Sequence, residues 1–229
     1  MKQFERNILL IGKENQEKLN NSKVIIFGIG GVGSFTLEAL VRAGIKELTI
    51  VDFDTVDETN INRQLLALHS TIGKFKVDAA YNRSLDINPN VIINSHPIKI
   101  DEETINQISF ENTNYIVDAV DDVNAKLLII KKAIDNNIPI ISSMGTGNKL
   151  DPTKLILTDI SKTSNCPLAR VMRKKLRDIN INHLPVLFST EIPNKDHNPT
   201  NTIASISFVP STGGLLIASK VINDIIKNK

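Results

Sequence analysis

The chain has 229 residues, 41% hydrophobic and 23% charged, which suits one sizeable α/β domain with a modest extension and argues against a disordered chain. Twenty-seven Lys plus Arg against 25 acids leave a net charge of +2, so overall charge alone does not argue for a nucleic-acid binder. A single cysteine, Cys166, excludes an internal disulfide and a Cys-pair zinc site. In chain order, residues 3–20 carry apolar side chains at helical spacing, with Gly12 as a break. Val24–Phe27 is a short apolar run suited to a strand buried on both faces, residues 31–43 are helical, and Leu48–Val51 is the next strand. Residues 57–64 form a polar loop with a helical turn, and residues 74–87 an amphipathic helix that ends at the turn signal Asn88-Pro89-Asn90. Weak and strong strands follow at 91–94 and 114–120, then a helix at 125–136 and a strand at 138–142. Strands alternating with helices of this length predict βαβ units and a mainly parallel, Rossmann-like sheet flanked by helices.

After Gly145 the texture changes to a C-terminal elaboration with extra strands and a basic helix. A loop spans 145–154, a strand 155–160, a helix 166–179, a late strand 202–210 and a closing helix 213–228. Neither repeats nor a linker divide the chain, so it reads as one domain: a nucleotide-binding core to residue 145 and an elaboration from 146 to 229. The N-terminal stretch has acids among its apolar residues and does not read as a secretory signal, and no apolar run approaches the length of a membrane span. A cytoplasmic, membrane-free protein is the expectation.

The stretch from Val24 to Asp54 is strand, glycine-rich turn, helix and acid-tipped strand. Gly28, Gly30 and Gly33 fit G-x-G-x-x-G, whose glycines permit the tight turn, the close approach of phosphate and helix–strand packing; Gly31 adds a fourth. Asp52, 19 residues beyond Gly33, and Asp54 sit where an acid bonds ribose hydroxyls. Up to this point an NAD dehydrogenase and an ATP-using enzyme are equally served. Arg63 and Lys76 favour the second, because fixed cations offset the charge that develops when a phosphoryl group is attacked. Asp118, Asp121 and Asp122 belong at the carboxyl edge of the sheet, where an acid holds Mg²⁺ through one or two oxygens while phosphates supply others.

Five separated motifs, GIGGVGS, VDFD, TNINRQ, IGKFK and VDAVDD, resemble in order and spacing the ubiquitin-activating-enzyme-like adenylating superfamily, over about residues 1–145. That resemblance implies that Gly28, Gly30, Gly31 and Gly33 line an ATP turn, Asp54 holds the ribose, Asn60, Arg63 and Lys76 contact the phosphates, and Asp121 coordinates Mg²⁺. It implies a homodimer in which Arg6 enters the partner's active site; a plain surface arginine is the alternative. The second half (TGNKLDPTKLILTDISKTSNCPLARVMRKKLR, VLFSTE and SISFVPSTGGLLIASKVI) resembles the tRNA threonylcarbamoyladenosine dehydratases. This narrower likeness implies ATP-dependent ring closure of the threonylcarbamoyl group on adenosine 37 of tRNA, through an acyl adenylate. Adenylation of a ubiquitin-like sulfur carrier is the alternative, against which the missing Cys pairs argue, and a sulfur-mobilising protein partner stays open. Glu191 is placed on the substrate side by family likeness alone.

Arg170, Arg173, Lys174 and Arg177 form one cationic stripe at i, i+3, i+4 and i+7, opposite Leu168, Met172, Leu176 and Ile179. The stripe reads either as a tRNA-backbone footprint or as an ordinary solvated helix face. Cys166, just before Pro167, reads as a capping-region residue rather than a nucleophile. His69, His96, His183 and His197 have no ligand spacing and receive no role.

Overall fold

A computed structural model describes residues 2–194 and 202–227. Seven strands, β1 (Lys23–Phe27), β2 (Glu47–Val51), β3 (Ile92–His96), β4 (Tyr115–Asp118), β5 (Ile140–Ser143), β6 (Leu155–Asp159) and β7 (Pro185–Ser189), form one sheet in the order β3-β2-β1-β4-β5-β7-β6. Every pairing is parallel except β6 with β7. Helices α1 (Glu5–Ile11), α2 (Lys13–Leu19), α3 (Gly33–Ala43), α4 (Lys76–Ile87), α5 (Val123–Asp135), α6 (Pro167–Asp178) and α7 (Phe208–Lys227) complete the chain. The break at Gly12 is as expected: its φ of 85° is a conformation that glycine adopts without strain, and it separates α1 from α2.

The central strands β1 and β4 bury nearly every residue, so they read as continuous apolar runs rather than alternating ones. One core layer lies between the sheet and α3, α4 and α7; the other lies between the sheet and α5 and α6. Two glycines of α7 let it approach closely. A Cβ at Gly214 would lie 2.4 Å from Val32 O, and one at Gly213 would lie 2.9 Å from a methyl of Leu187. At its far end α7 is tied to the sheet by Tyr115, whose buried hydroxyl donates to Asp224 Oδ2 at 2.8 Å.

The late strand expected at 202–210 is not a strand. Residues 202–206 are irregular and α7 already begins at Phe208. The apolar–polar alternation there mimicked a strand, but Pro210 falls in the first turn of α7, where a missing N–H costs nothing. The strand that does form the sheet here is β7, earlier in the chain.

Glu38 on α3 joins two helices. Its carboxylate accepts from Arg42 one turn on and from both Nε and Nη2 of Arg83 on α4, at 2.7–3.0 Å. Burial alone pushes the Glu38 carboxyl up, but the two guanidiniums overcome this and hold it below the ordinary value. A carboxyl with a lowered folded pKa stabilises above its unfolded pKa and loses that contribution as pH falls through the folded one. Glu38→Gln is therefore expected to cost about 1–2 kcal/mol at neutral pH. In acid melts the variant and the parent should converge once the pH has fallen through the lowered pKa of Glu38, below the ordinary carboxylate range.

Candidate active site

The carboxyl ends of β1, β2, β4 and β5 open into one cavity of about 850 Å³, large enough for a nucleotide and a second reactant. The glycine turn after β1 forms its floor. Gly28 has φ 86° and a Cβ there would lie 2.7 Å from Ala119 O; a Cβ at Gly33 would lie 1.8 Å from Gly28 O. These two are demanded by packing. Gly30 is different, since the nearest atom to its added Cβ is 3.9 Å away, on the Gln64 side chain. Among the described residues no protein atom requires glycine at 30, and a side chain there would stand in the cavity. Gly30→Val is expected to melt as the parent does and to lose at least about tenfold in ATP affinity, by calorimetric titration.

The two acids after β2 have separate jobs. Asp52 is buried and accepts from Ile29 N–H at 2.6 Å and from Asp54 N–H at 2.9 Å, so it fixes the glycine turn from behind. Burial pushes its carboxyl up, with the Lys76 charge and the two N–H groups opposing. Asp54 lies in the cavity wall and pairs with the Lys76 ammonium at 2.6 Å. That couple joins the β2 end to the first residue of α4 and is not apparent from sequence.

Arg63 stands on a loop shaped by a reciprocal cap. Asp57 accepts from Thr59 N–H at 2.8 Å, and the Asn60 side chain accepts from Asp57 N–H at 3.2 Å. The Arg63 guanidinium donates to Thr59 O and Asn62 Oδ1, each at 2.9 Å. Both acceptors are neutral, and no carboxylate lies within 4 Å of Arg63 among the described residues, so its charge is left for an anion in the cavity.

Of the three acids at the end of β4 and just beyond it, two are taken by the fold. Asp122 caps α5 through Ala125 N–H at 2.8 Å. Asp118 is fully buried, receiving Lys126 Nζ at 3.0 Å and the Ser142 hydroxyl. Lys126, equally buried, also donates to Ser142 Oγ and to Ser143 O. This network pins the ends of β4 and β5 to α5, and sequence reasoning missed it. Asp121 remains, exposed in the cavity wall with no protein partner for its side chain among the described residues. No group of three or more His, Cys, Asp or Glu suited to a metal occurs among the described residues. A lone carboxylate is compatible with magnesium, which keeps several waters and takes phosphate oxygens.

Residues 98–100, after β3, wall the cavity beside Asp54, and the Lys99 ammonium lies 5.9 Å over the Phe53 ring. Sequence reasoning missed this apolar end as well. Arg6 is exposed on α1 and does not line the cavity. Cys166 is the N-cap of α6, its sulfur accepting from Ala169 N–H at 3.5 Å. On α6, Arg170, Lys174 and Arg177 are exposed, but Arg173 is half-buried and donates to the carbonyl and hydroxyl of Thr163. The cationic stripe is therefore three residues rather than four. Ile179, expected to pack inward, follows the helix and is 45% exposed; Ala169, Met172 and Leu176 form the buried face. Glu191 faces the backbone rather than the cavity, accepting from Leu150 N–H and Asp151 N–H at 3.0 Å. His197 lies outside the described residues.

The model of the ThiF family matches residues 4–228. The chain belongs to the ThiF family. This ThiF-family protein is 42% identical to the tRNA threonylcarbamoyladenosine dehydratase of Bacillus subtilis, over 99% of its own length and 95% of the relative's. It superposes on the Escherichia coli tRNA N6-threonylcarbamoyladenosine dehydratase solved in complex with ATP, with a TM-score of 0.91, 28% identity, and coverage of 98% and 94%. The adenylyltransferase and sulfurtransferase UBA4 of Vanderwaltozyma polyspora is 38% identical, but the match covers only 60% of this ThiF-family chain and 31% of the relative. Likeness to the dehydratase thus runs through β6, α6, β7 and α7, whereas the match to the sulfurtransferase spans a smaller share of the chain.

Proposed function

We infer that the protein is an ATP-dependent adenylating enzyme that dehydrates the threonylcarbamoyl group on adenosine 37 of tRNA. The observation that carries this is the cavity itself. A glycine turn with a glycine that packing does not explain, and an arginine and an acid without an oppositely charged partner among the described residues, meet at the carboxyl edge of a sheet, in a chain like a dehydratase over 99% of its length. The substrate carboxylate attacks the α-phosphorus of ATP and pyrophosphate leaves. The neighbouring carbamoyl group then attacks the acyl carbon and sheds a proton as AMP departs with the carboxylate oxygen. The substrate has lost one water, and no covalent enzyme residue is needed. This fits a chain whose single thiol caps a helix.

In this reading Asp54 holds the ribose, Gly28, Gly30, Gly31 and Gly33 carry the phosphates, and Arg63, Lys76 and Asn60 face the charge that builds up on them. Asp121 holds magnesium, which supplies further positive charge to the phosphates when bound. Arg170, Lys174 and Arg177 offer a surface for the tRNA backbone, and a tRNA substrate implies a cytoplasmic site of action. A homodimer would give a use to α1, where Leu9 and Leu10, 86% and 85% exposed, stand one turn beyond Arg6. The test is pyrophosphate release from ATP with and without modified tRNA. The reading expects release only with tRNA that carries the threonylcarbamoyl group. Release driven instead by a small protein ending in Gly-Gly would reverse it in favour of sulfur-carrier activation.

A further inference from the structure

Three lysines, Lys76, Lys126 and Lys149, are at least nine-tenths buried among the described residues. Lys76 is paired with Asp54 and Lys126 with Asp118. Lys149, 4% exposed, has no carboxylate within 4 Å among the described residues; its ammonium donates to the backbone carbonyl of Glu191. The carboxylate of that glutamate is turned to the backbone N–H groups of Leu150 and Asp151. Burial pushes the Lys149 ammonium below the ordinary lysine value; the charges of Glu191 and Cys166 oppose this without reversing it, and that of Lys154 adds to it. A buried cation that meets only neutral oxygen is costly unless an anion arrives.

The segment around Lys149 is held on three sides. Asn148, in the left-handed region at φ 57°, exchanges hydrogen bonds with Ala204 at 2.7 and 2.9 Å, and its carbonyl accepts from Asn194 N–H at 2.8 Å. Glu191 holds the next two residues. Lys149 is thus a fixed charge in the cavity wall, on the loop that follows β5. In the order β2-β1-β4-β5, its loop lies three strands from that of Asp54, about 14 Å at ordinary strand spacing. With the ribose acid at β2 and the phosphate turn at β1, the β5 end is left for the group that attacks the α-phosphorus. That group is itself an anion approaching an anion, and a pre-placed cation offsets the repulsion without reorganising.

We propose that Lys149 binds the carboxylate of the acyl substrate and presents it to ATP from the β5 side of the cavity. The inference rests on the adenylating reading above. A lysine that merely ties its loop to Glu191 would leave carboxylate recognition untouched, and the experiment reads that difference. Synthetic anticodon stem-loops carrying threonylcarbamoyladenosine as the free acid or as its methyl ester are titrated against the full chain with α,β-methylene-ATP, which cannot release pyrophosphate. The wild type is expected to bind the acid at least about tenfold more tightly than the ester, as for a charge-assisted hydrogen bond. That preference should fall to about one in Lys149→Met and Lys149→Gln, and persist in Lys149→Arg, with the affinity for α,β-methylene-ATP alone unchanged. Undiminished preference in the Met or Gln variant, or no preference in the wild type, overturns the proposal. A wild type that binds neither stem-loop overturns the tRNA reading itself, and this inference with it.

Discussion

Replacing Arg63 by alanine is expected to slow tRNA-dependent pyrophosphate release by about 10²–10³-fold, the usual cost of removing a fixed donor aimed at developing charge. The guanidinium is held by two neutral oxygens on a loop whose shape is set by the Asp57–Asn60 cap, so the side chain is positioned before ATP arrives. With no carboxylate within 4 Å among the described residues, its charge acts on whatever occupies the cavity. The loss should fall mainly on kcat, since charge on the bridging oxygen grows toward the transition state. Arg63→Lys should recover only part: Nη1 alone serves Thr59 O and Asn62 Oδ1, which leaves Nε and Nη2 of the planar fork for an anion, and a compact ammonium has no such second arm. Single-turnover measurement at saturating ATP checks this, with circular dichroism to show that the loop change has not disturbed the sheet. A turnover unchanged within a few-fold would remove Arg63 from the chemistry.

The second large effect is on stability. Lys126→Met leaves Asp118 fully buried with a hydroxyl and a weak backbone N–H, having lost its cation. Breaking one side of a buried pair typically costs about 3–5 kcal/mol, a large part of the roughly 5–15 kcal/mol that holds a domain together. For a chain of this size that is a fall in Tm of roughly 6–20 °C. Adding Asp118→Asn should restore part of it, because the stranded charge is gone and an amide oxygen still accepts from Ser142. Thermal melts of the single and double variants decide the matter. A single variant that melts with the parent would mean that the pair does not anchor β4 to β5.

Local signals were the legible ones. The glycine turn, the acid-tipped β2 and the order of βαβ units follow from residues near one another in sequence, and the sheet around β1, β2, β4 and β5 was readable from them. The division of labour between Asp52 and Asp54 was not, because both are strand-end acids and only the fold shows that one faces the turn and the other the cavity. The Lys126 network was hidden because a lysine on an amphipathic helix ordinarily snorkels to solvent; here its Nζ turns inward to Asp118. Arg173 was read as part of the surface stripe, but its i, i+3 spacing could not show that Thr163 lies within reach. β7 was overlooked because its apolar run is short, and its antiparallel partner β6 lies about 30 residues earlier. Conversely, the alternation at 202–210 promised a strand, and Pro210 with the two glycines after it was the signal that a close-packed helix begins there. Lys149 and Glu191, 42 residues apart, meet only because the two loops cross beside the cavity.

At the centre stands a cavity that spends ATP to carry a tRNA-borne carboxylate off as its adenylate and return a closed ring. Its most direct test is mass analysis of nucleosides from tRNA bearing threonylcarbamoyladenosine, incubated with the protein, ATP and magnesium. The account predicts a nucleoside lighter by one water, formed only when ATP is present and in step with AMP. Intact threonylcarbamoyladenosine after ATP has been consumed, or loss of water without ATP, would contradict it.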